Sequence, residues 1–375
     1  MADWHESYRR EIEYCTYCPK LCRFSCPVAQ VECSETVTPT GKMTVLKLVR
    51  DGVLPFNEEV GELVYLCTGC LISRTYCEHD IEVYPPFESA RIEAINQGVA
   101  PPVMQKFAQN WEQKRNPFNK DFSETLKSCA PEEYLQKDVD VVLFTGCTAL
   151  HYFPEQISDT VRVLQALDLD FRLLDQESLC CGYPLITAGH RGPFLEQARQ
   201  VAEGLNRSSL VITPCPTCTH TIKERYPELG IEIKPEVMHI SRFLADNLDR
   251  LPLRAKEENK VIYHDPCHLG RYLGIYDEPR KVLEAATGEP PLEFFENREA
   301  ATCCGSGGGL PLVRPGTARG IAREKMQTVP EYGAGVLATS CPMCRRALDR
   351  AGKDLNIRTE DIITILARQM EPAGK

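Results

Sequence analysis

The feature that most constrains this chain is a five-cysteine pattern that occurs twice. Cys147 is followed by 32 residues and then Cys180-Cys181-Gly182, and a further 33 residues separate Cys181 from Cys215-Pro216-Thr217-Cys218. In the second copy 35 residues separate Cys267 from Cys303-Cys304-Gly305, and 36 separate Cys304 from Cys341-Pro342-Met343-Cys344. Each cysteine group follows a short apolar run that reads as a buried strand, and helical periodicity fills the gaps. The first copy predicts strands over Val139–Thr145, Phe171–Leu174 and Leu210–Thr213, with helices over Gln156–Leu167 and within Gly192–Asn206. The second predicts strands over Val261–His264, Leu292–Phe295 and Gly335–Thr339, with helices over Pro279–Ala286 and Thr317–Met326. Such alternation predicts an α/β fold of parallel sheets covered by helices. Groups at the carboxyl ends of parallel strands converge on one site. The chain therefore reads as a tandem duplication, with about 120 residues per copy.

Five converging sulfurs exceed the four of a structural zinc site. Thiolates select zinc, copper(I) or iron–sulfur clusters, and adjacent cysteines suit a multi-iron cluster better than one tetrahedral ion. Glycine after the pair lets the backbone turn closely, and proline inside Cys-Pro-x-Cys stiffens the loop. A secreted disulfide scaffold is excluded by size, with 19 cysteines spread over 375 residues. The N-terminal stretch is charged without an apolar h-region, so a reducing cytoplasm is the expected compartment. The net charge of −10 disfavours nucleic acid, and no apolar run approaches the roughly 20 residues needed to span a bilayer.

Eight more cysteines lie upstream. Cys15-x2-Cys18-x3-Cys22-x3-Cys26-Pro27 is close to the two-cluster ferredoxin run, with one extra residue before Cys22. The second run is Cys67-x2-Cys70, then Ser73 in place of a cysteine, then Cys77 and Glu78. The fourth cysteine of each run serves the other cluster. This predicts one cluster on Cys15, Cys18, Cys22 and Cys77, and another on Cys26, Cys67 and Cys70. Cys33 is the expected fourth ligand of the latter; Ser73 as an oxygen ligand, or a three-iron cluster, are the rivals. Helices are expected over Met43–Asp51 and Phe87–Gln97, and no strand.

Together, Cys180-Cys181-Gly182-Tyr183-Pro184, Thr213–Cys218, His264-Asp265-Pro266-Cys267-His268, Cys303–Gly309 and Ser340–Cys344 resemble the Cys-Cys-Gly domain proteins. These include heterodisulfide reductase catalytic subunits and the iron–sulfur subunits of glycolate, lactate and glycerol-3-phosphate oxidoreductases. The resemblance covers about residues 138–367 and implies noncubane [4Fe–4S] clusters on both five-cysteine sets. Those ten cysteines would be the catalytic ones, cleaving a disulfide or reducing a similar two-electron acceptor. It also implies two cubane [4Fe–4S] clusters fed by a flavoprotein or another iron–sulfur or membrane subunit. The alternative is an electron-transfer subunit that links a flavin dehydrogenase to quinone or another carrier. The protein would be cytoplasmic, or peripheral on the inner face of the membrane through its partner.

The remaining candidates have plainer readings. Cys129 reads as a structural thiol. His264 and His268 read as hydrogen-bonding neighbours of a cluster. Gly305–Gly309 matches neither phosphate-loop template and reads as room for cluster packing. Arg271, Arg345 and Arg346 read as surface charge or as partners for an anionic substrate or cluster, and Lys42 and Lys47 as exposed helix positions. The expected organisation is a helical two-cluster ferredoxin-like domain with its connector over 1–130, then Cys-Cys-Gly domains over 135–255 and 256–375.

Overall fold

The computed structural model describes residues 4–111, 113–136, 139–253 and 259–370. It contains two four-stranded parallel sheets. In the first, β1 (Val141–Leu143), β2 (Arg172–Leu173), β3 (Leu210–Thr213) and β4 (Glu236–His239) take the order β2-β1-β3-β4. In the second, β5 (Val261–His264), β6 (Leu292–Glu293), β7 (Val336–Thr339) and β8 (Arg358–Asp361) take the order β6-β5-β7-β8. The two orders are the same, as a duplication requires. The α/β class and the three predicted strands per copy are present. The fourth strand of each sheet is an addition to the sequence reading.

The two halves pack by a reciprocal exchange of helices. Pro154–Ala166 of the first half lies on Ile362–Arg368 of the second, and Ile240–Ala245 of the first lies on Asp277–Thr287 of the second. A backbone bridge between Leu253 and Met370 closes the same seam. One apolar core runs through this seam, from Val142, Ile157 and Ile212 to Val282, Val336 and Ile365.

The region before β1 contains no strand among its described residues. Its helices Arg9–Tyr17, Pro39–Arg50 and Tyr84–Asn96 enclose Ile12, Met43, Leu46 and Phe87. The stretch read as a polar connector is built into the first α/β unit. Trp111, Phe122, Leu126 and Cys129 join its core, and a helix over Ser123–Cys129 packs on Pro154–Ala166. Cys129 is buried with its thiol 3.2 Å from the Pro154 carbonyl oxygen, as a structural thiol should be.

Candidate metal centre

Three of the cysteine loops share one local device. Cys26, Cys215 and Cys341 each precede a proline that opens a helix, namely Pro27–Glu32, Pro216–His220 and Pro342–Ala351. Proline is preorganised for the first helical position, and the residue before it is held extended. In the Cys-Cys-Gly loops, Gly182 and Gly305 adopt φ values of +77° and +81°, which a β-carbon would strain. The chain thereby reverses immediately after the paired sulfurs.

In the first five-cysteine set, the Cys147 and Cys180 sulfurs are 3.2 Å apart. Cys181 interacts with both Cys180 and Cys218, and Cys218 with Cys215. In the second set, Cys304 and Cys344 are 3.2 Å apart, Cys267 interacts with Cys303, and Cys344 with Cys341. The helix Cys147–Tyr152 packs on Pro342–Ala351, and Pro216–His220 on His268–Tyr272, so the two sets face one another. All 19 cysteines are unpaired by disulfides. Buried thiolates in sulfur–sulfur contact repel strongly unless a cation lies among them, which is the donor chemistry of a thiolate-bound metal cluster.

Upstream, Cys15 interacts with Cys22, Cys77 and Cys18. Burial pushes the Cys15 thiol up to about 12 and that of Cys22 up to about 11, so each needs a bound cation to ionise near pH 7. Cys26, Cys67, Cys70 and Ser73 line a separate pocket with Lys42 and Tyr84. Cys33 is not among the residues lining it. It ends the Pro27–Glu32 helix in a left-handed turn, with an exposed thiol directed at the Gln30 carbonyl oxygen at 3.4 Å. Cys33, expected to complete the Cys26–Cys67–Cys70 group, does not line it here, whereas the buried Ser73 does.

The Cys67–Cys70 loop is gripped carbonyl by carbonyl. Lys42 Nζ donates to the Leu66 oxygen at 2.5 Å, and Arg91 Nη2 to that of Cys67 at 2.8 Å. The Tyr272 hydroxyl donates to the Gly69 oxygen at 2.7 Å, and Arg271 Nε to that of Cys70 at 2.5 Å. Over the loop, a β-carbon at Gly307 or Gly308 would overlap the Thr68 or Cys67 carbonyl oxygen. Gly307 and Gly308 thus make room for the backbone of the N-terminal region. Arg91 also donates to the Val64 and Thr187 oxygens, which ties the loop to the first α/β unit. On its other side Cys70 packs against Cys303 and Cys267 of the second set.

Two plainer readings are corrected here. Lys42 is buried rather than exposed, while Lys47 is paired with Asp51. Arg271 and Arg345 are not solvated: Arg271 donates to the carbonyls of Cys70, Glu299 and Ala301, and the buried Arg345 pairs with Glu155 at 3.0 Å. Arg346 lies over the Tyr152 ring. Arg91 and Tyr272 escaped the sequence reading. The visible signal for Arg91 was an arginine in line with Phe87 and Ala94 on the apolar stripe of its helix.

His264 forms a buried group with Cys304 and Cys344, their ligand atoms within 4.8 Å of one another. His268 stacks on Tyr272 with its Nδ1 3.5 Å from the Cys267 sulfur. Lys325 donates to Thr302 Oγ1 at 3.0 Å beneath the second Cys-Cys pair. Burial lowers its ammonium to about 8, so it is still cationic at pH 7.

The cysteine-rich CCG domain model matches residues 141–223 and 261–349, which span the first three strands of each α/β unit. A chain of the dihydromethanophenazine:CoB–CoM heterodisulfide reductase of Methanosarcina mazei is 34% identical over 84% of this chain and 79% of its own length. The chain belongs to the CCG-domain iron–sulfur oxidoreductases. Other members include a chain of the fumarate reductase (CoM/CoB) of Methanothermobacter marburgensis, 30% identical over 86% of this chain and 65% of its own. EtfAB:quinone oxidoreductase of Syntrophomonas wolfei is 28% identical over 83% of this chain and 47% of its own. A hypothetical protein from Helicobacter pylori shares the fold, with a TM-score of 0.59, 11% identity, and coverage of 99% of this chain and 76% of its own. This CCG-domain protein is accordingly an oxidoreductase subunit, and its relatives work in multi-subunit redox complexes. None of its described helices is long and apolar enough to cross a membrane.

Proposed function

We propose that this protein carries electrons from a partner subunit, a flavoprotein or another iron–sulfur chain, to a disulfide or similar two-electron acceptor. In this reading, Cys15, Cys18, Cys22 and Cys77 hold one cubane cluster. Cys26, Cys67 and Cys70 hold a second, with Ser73 facing it. Cys147, Cys180, Cys181, Cys215 and Cys218 hold one noncubane cluster, and Cys267, Cys303, Cys304, Cys341 and Cys344 hold another. The clusters supply one-electron carriers. The observation that carries the reading is the pairing of two complete five-cysteine sets across one interface, with every cysteine of the two sets but the half-buried Cys267 buried. The overall conversion takes RSSR′, two electrons and two protons to RSH and R′SH. Two facing one-electron centres match that two-electron couple. The contact of Cys70 with Cys303 supports entry of electrons at the second set.

The test is anaerobic titration of the reduced, cluster-loaded chain with symmetrical and mixed disulfides, followed by electron paramagnetic resonance. A new paramagnetic signal that depends on the disulfide, and is lost with Cys215→Ala or Cys341→Ala, is the expected result. Reoxidation by a quinone analogue with no response to any disulfide would favour the electron-transfer role instead.

A further inference from the structure

The two five-cysteine sets share a scaffold but not an environment. Three positions that surround the second set with basic groups are occupied differently in the first. His264 stands three residues before Cys267, at the end of β5; three residues before Cys147 the chain has Phe144. Arg271 stands four residues after Cys267; four after Cys147 is His151. The third position is set by packing. Gly305 abuts Ile321 as Gly182 abuts Gln197, and four residues further along each helix stand Lys325 and Val201.

These groups are directed at the second set. Both ring nitrogens of His264 are buried, and the ring reaches Cys344 and Cys304, on whose sulfur it acts. Arg271 acts on Cys70, Cys267 and Cys303, and its Nη2 is buried and unpartnered. Lys325 acts on Cys304 and Cys303 and is held by Thr302 over the Phe294 ring. The buried carboxylate nearest in sequence to Cys267, Asp265, is bound by both Nη atoms of Arg280 at 2.8 and 2.9 Å. The first set has Phe144, His151 and Val201 at the three corresponding positions, and the arginine beside it, Arg346, lies over the Tyr152 ring. The Cys180 carbonyl is held instead by the neutral Gln197, and that of Cys181 by Tyr226.

Reduction of a thiolate-bound cluster adds one negative charge. Buried cations and hydrogen bonds to the sulfurs stabilise that charge and raise the reduction potential. We infer that the second cysteine set is the more oxidising of the pair and receives the first electron, with His264, Arg271 and Lys325 as the positioning residues that fix this order. The inference rests on the cluster reading above. With clusters bound, the Cys26–Cys67–Cys70 group would be oxidised and the second set reduced by one electron across the Cys70–Cys303 contact, with no bond made or broken.

The test is a potentiometric titration of the full-length, cluster-loaded chain, monitored by electron paramagnetic resonance and Mössbauer spectroscopy. Signals are assigned by their loss in Cys215→Ala or Cys341→Ala. The signal lost with Cys341→Ala should have the higher midpoint. Lys325→Met and His264→Phe should each move that midpoint down and narrow the gap, and Lys325→Arg should restore it. The wild-type order stands as evidence even where a variant does not fold. Both signals present with the opposite order, or an unmoved midpoint in Lys325→Met, overturns the inference alone. Iron content too low for any centre on either five-cysteine set overturns the underlying reading, and the inference with it.

Discussion

The two α/β units differ most in what lies against their Cys-Cys-Gly turns. In the first unit the chain continues Gly182-Tyr183-Pro184, and helix Tyr183–Thr187 begins at once. In the second it continues Gly305-Ser306-Gly307-Gly308-Gly309, and the glycines lie against the Cys67–Cys70 loop of the N-terminal region. A duplicated scaffold has therefore been specialised by a few positions. One copy docks the upstream cysteines, and the other faces it from across the interface. The lesson is that cysteine spacing specifies a site, while the residues between the cysteines specify its place in an electron path.

The comparison can be broken most severely at Gly308. A side chain there meets the Cys67 carbonyl at a φ of +61°. Gly308→Ala should destabilise the chain by about 3 kcal/mol, the sum of left-handed strain and overpacking, read as a lower Tm and faster proteolysis of the N-terminal region. Gly204, inside helix Arg191–Leu205 of the first unit, meets only ordinary van der Waals contact. Gly204→Ala should be neutral or stabilising by up to about 1 kcal/mol in the same melt. Equal losses at the two sites would remove the asymmetry.

Arg91→Met strips donors from the carbonyls of Val64, Cys67 and Thr187. A loss of about 2–3 kcal/mol is expected in denaturant unfolding. An unchanged midpoint would mean that the clamp does not hold the loop. Ser73→Cys should leave stability nearly unchanged while altering the paramagnetic spectrum of one cubane centre. An identical spectrum would detach Ser73 from that centre. The smallest effect belongs to Cys33→Ser, which should change stability by less than about 0.5 kcal/mol and leave iron content intact. Loss of one cluster's worth of iron would restore Cys33 as a ligand.

Much of the fold was legible because its central strands are short apolar runs between turns. Leu210–Thr213 and Val261–His264 emerge with the bounds read from sequence. The edge strands Glu236–His239 and Arg358–Asp361 did not, since only alternate residues are buried and four positions are too few to establish a period of two. The cysteine groups were legible because ligand spacing is local. Lys42 was not, because its partner is the Leu66 carbonyl, 24 residues away, and a buried lysine is recognisable only by what it meets. Cys33 is the opposite case. It is near Cys26 in sequence, but the left-handed turn that ends its helix leaves the thiol on the surface. The glycine run was seen as space, but its occupant lies some 240 residues upstream.

The central claim is that four groups of cysteines hold four clusters. Iron and acid-labile sulfide, measured anaerobically on the full chain after cluster loading, test it most directly. About 16 iron atoms and a comparable amount of sulfide per chain are expected for four [4Fe–4S] clusters. Iron near zero, or near the 8 or so of two cubane clusters alone, would contradict it.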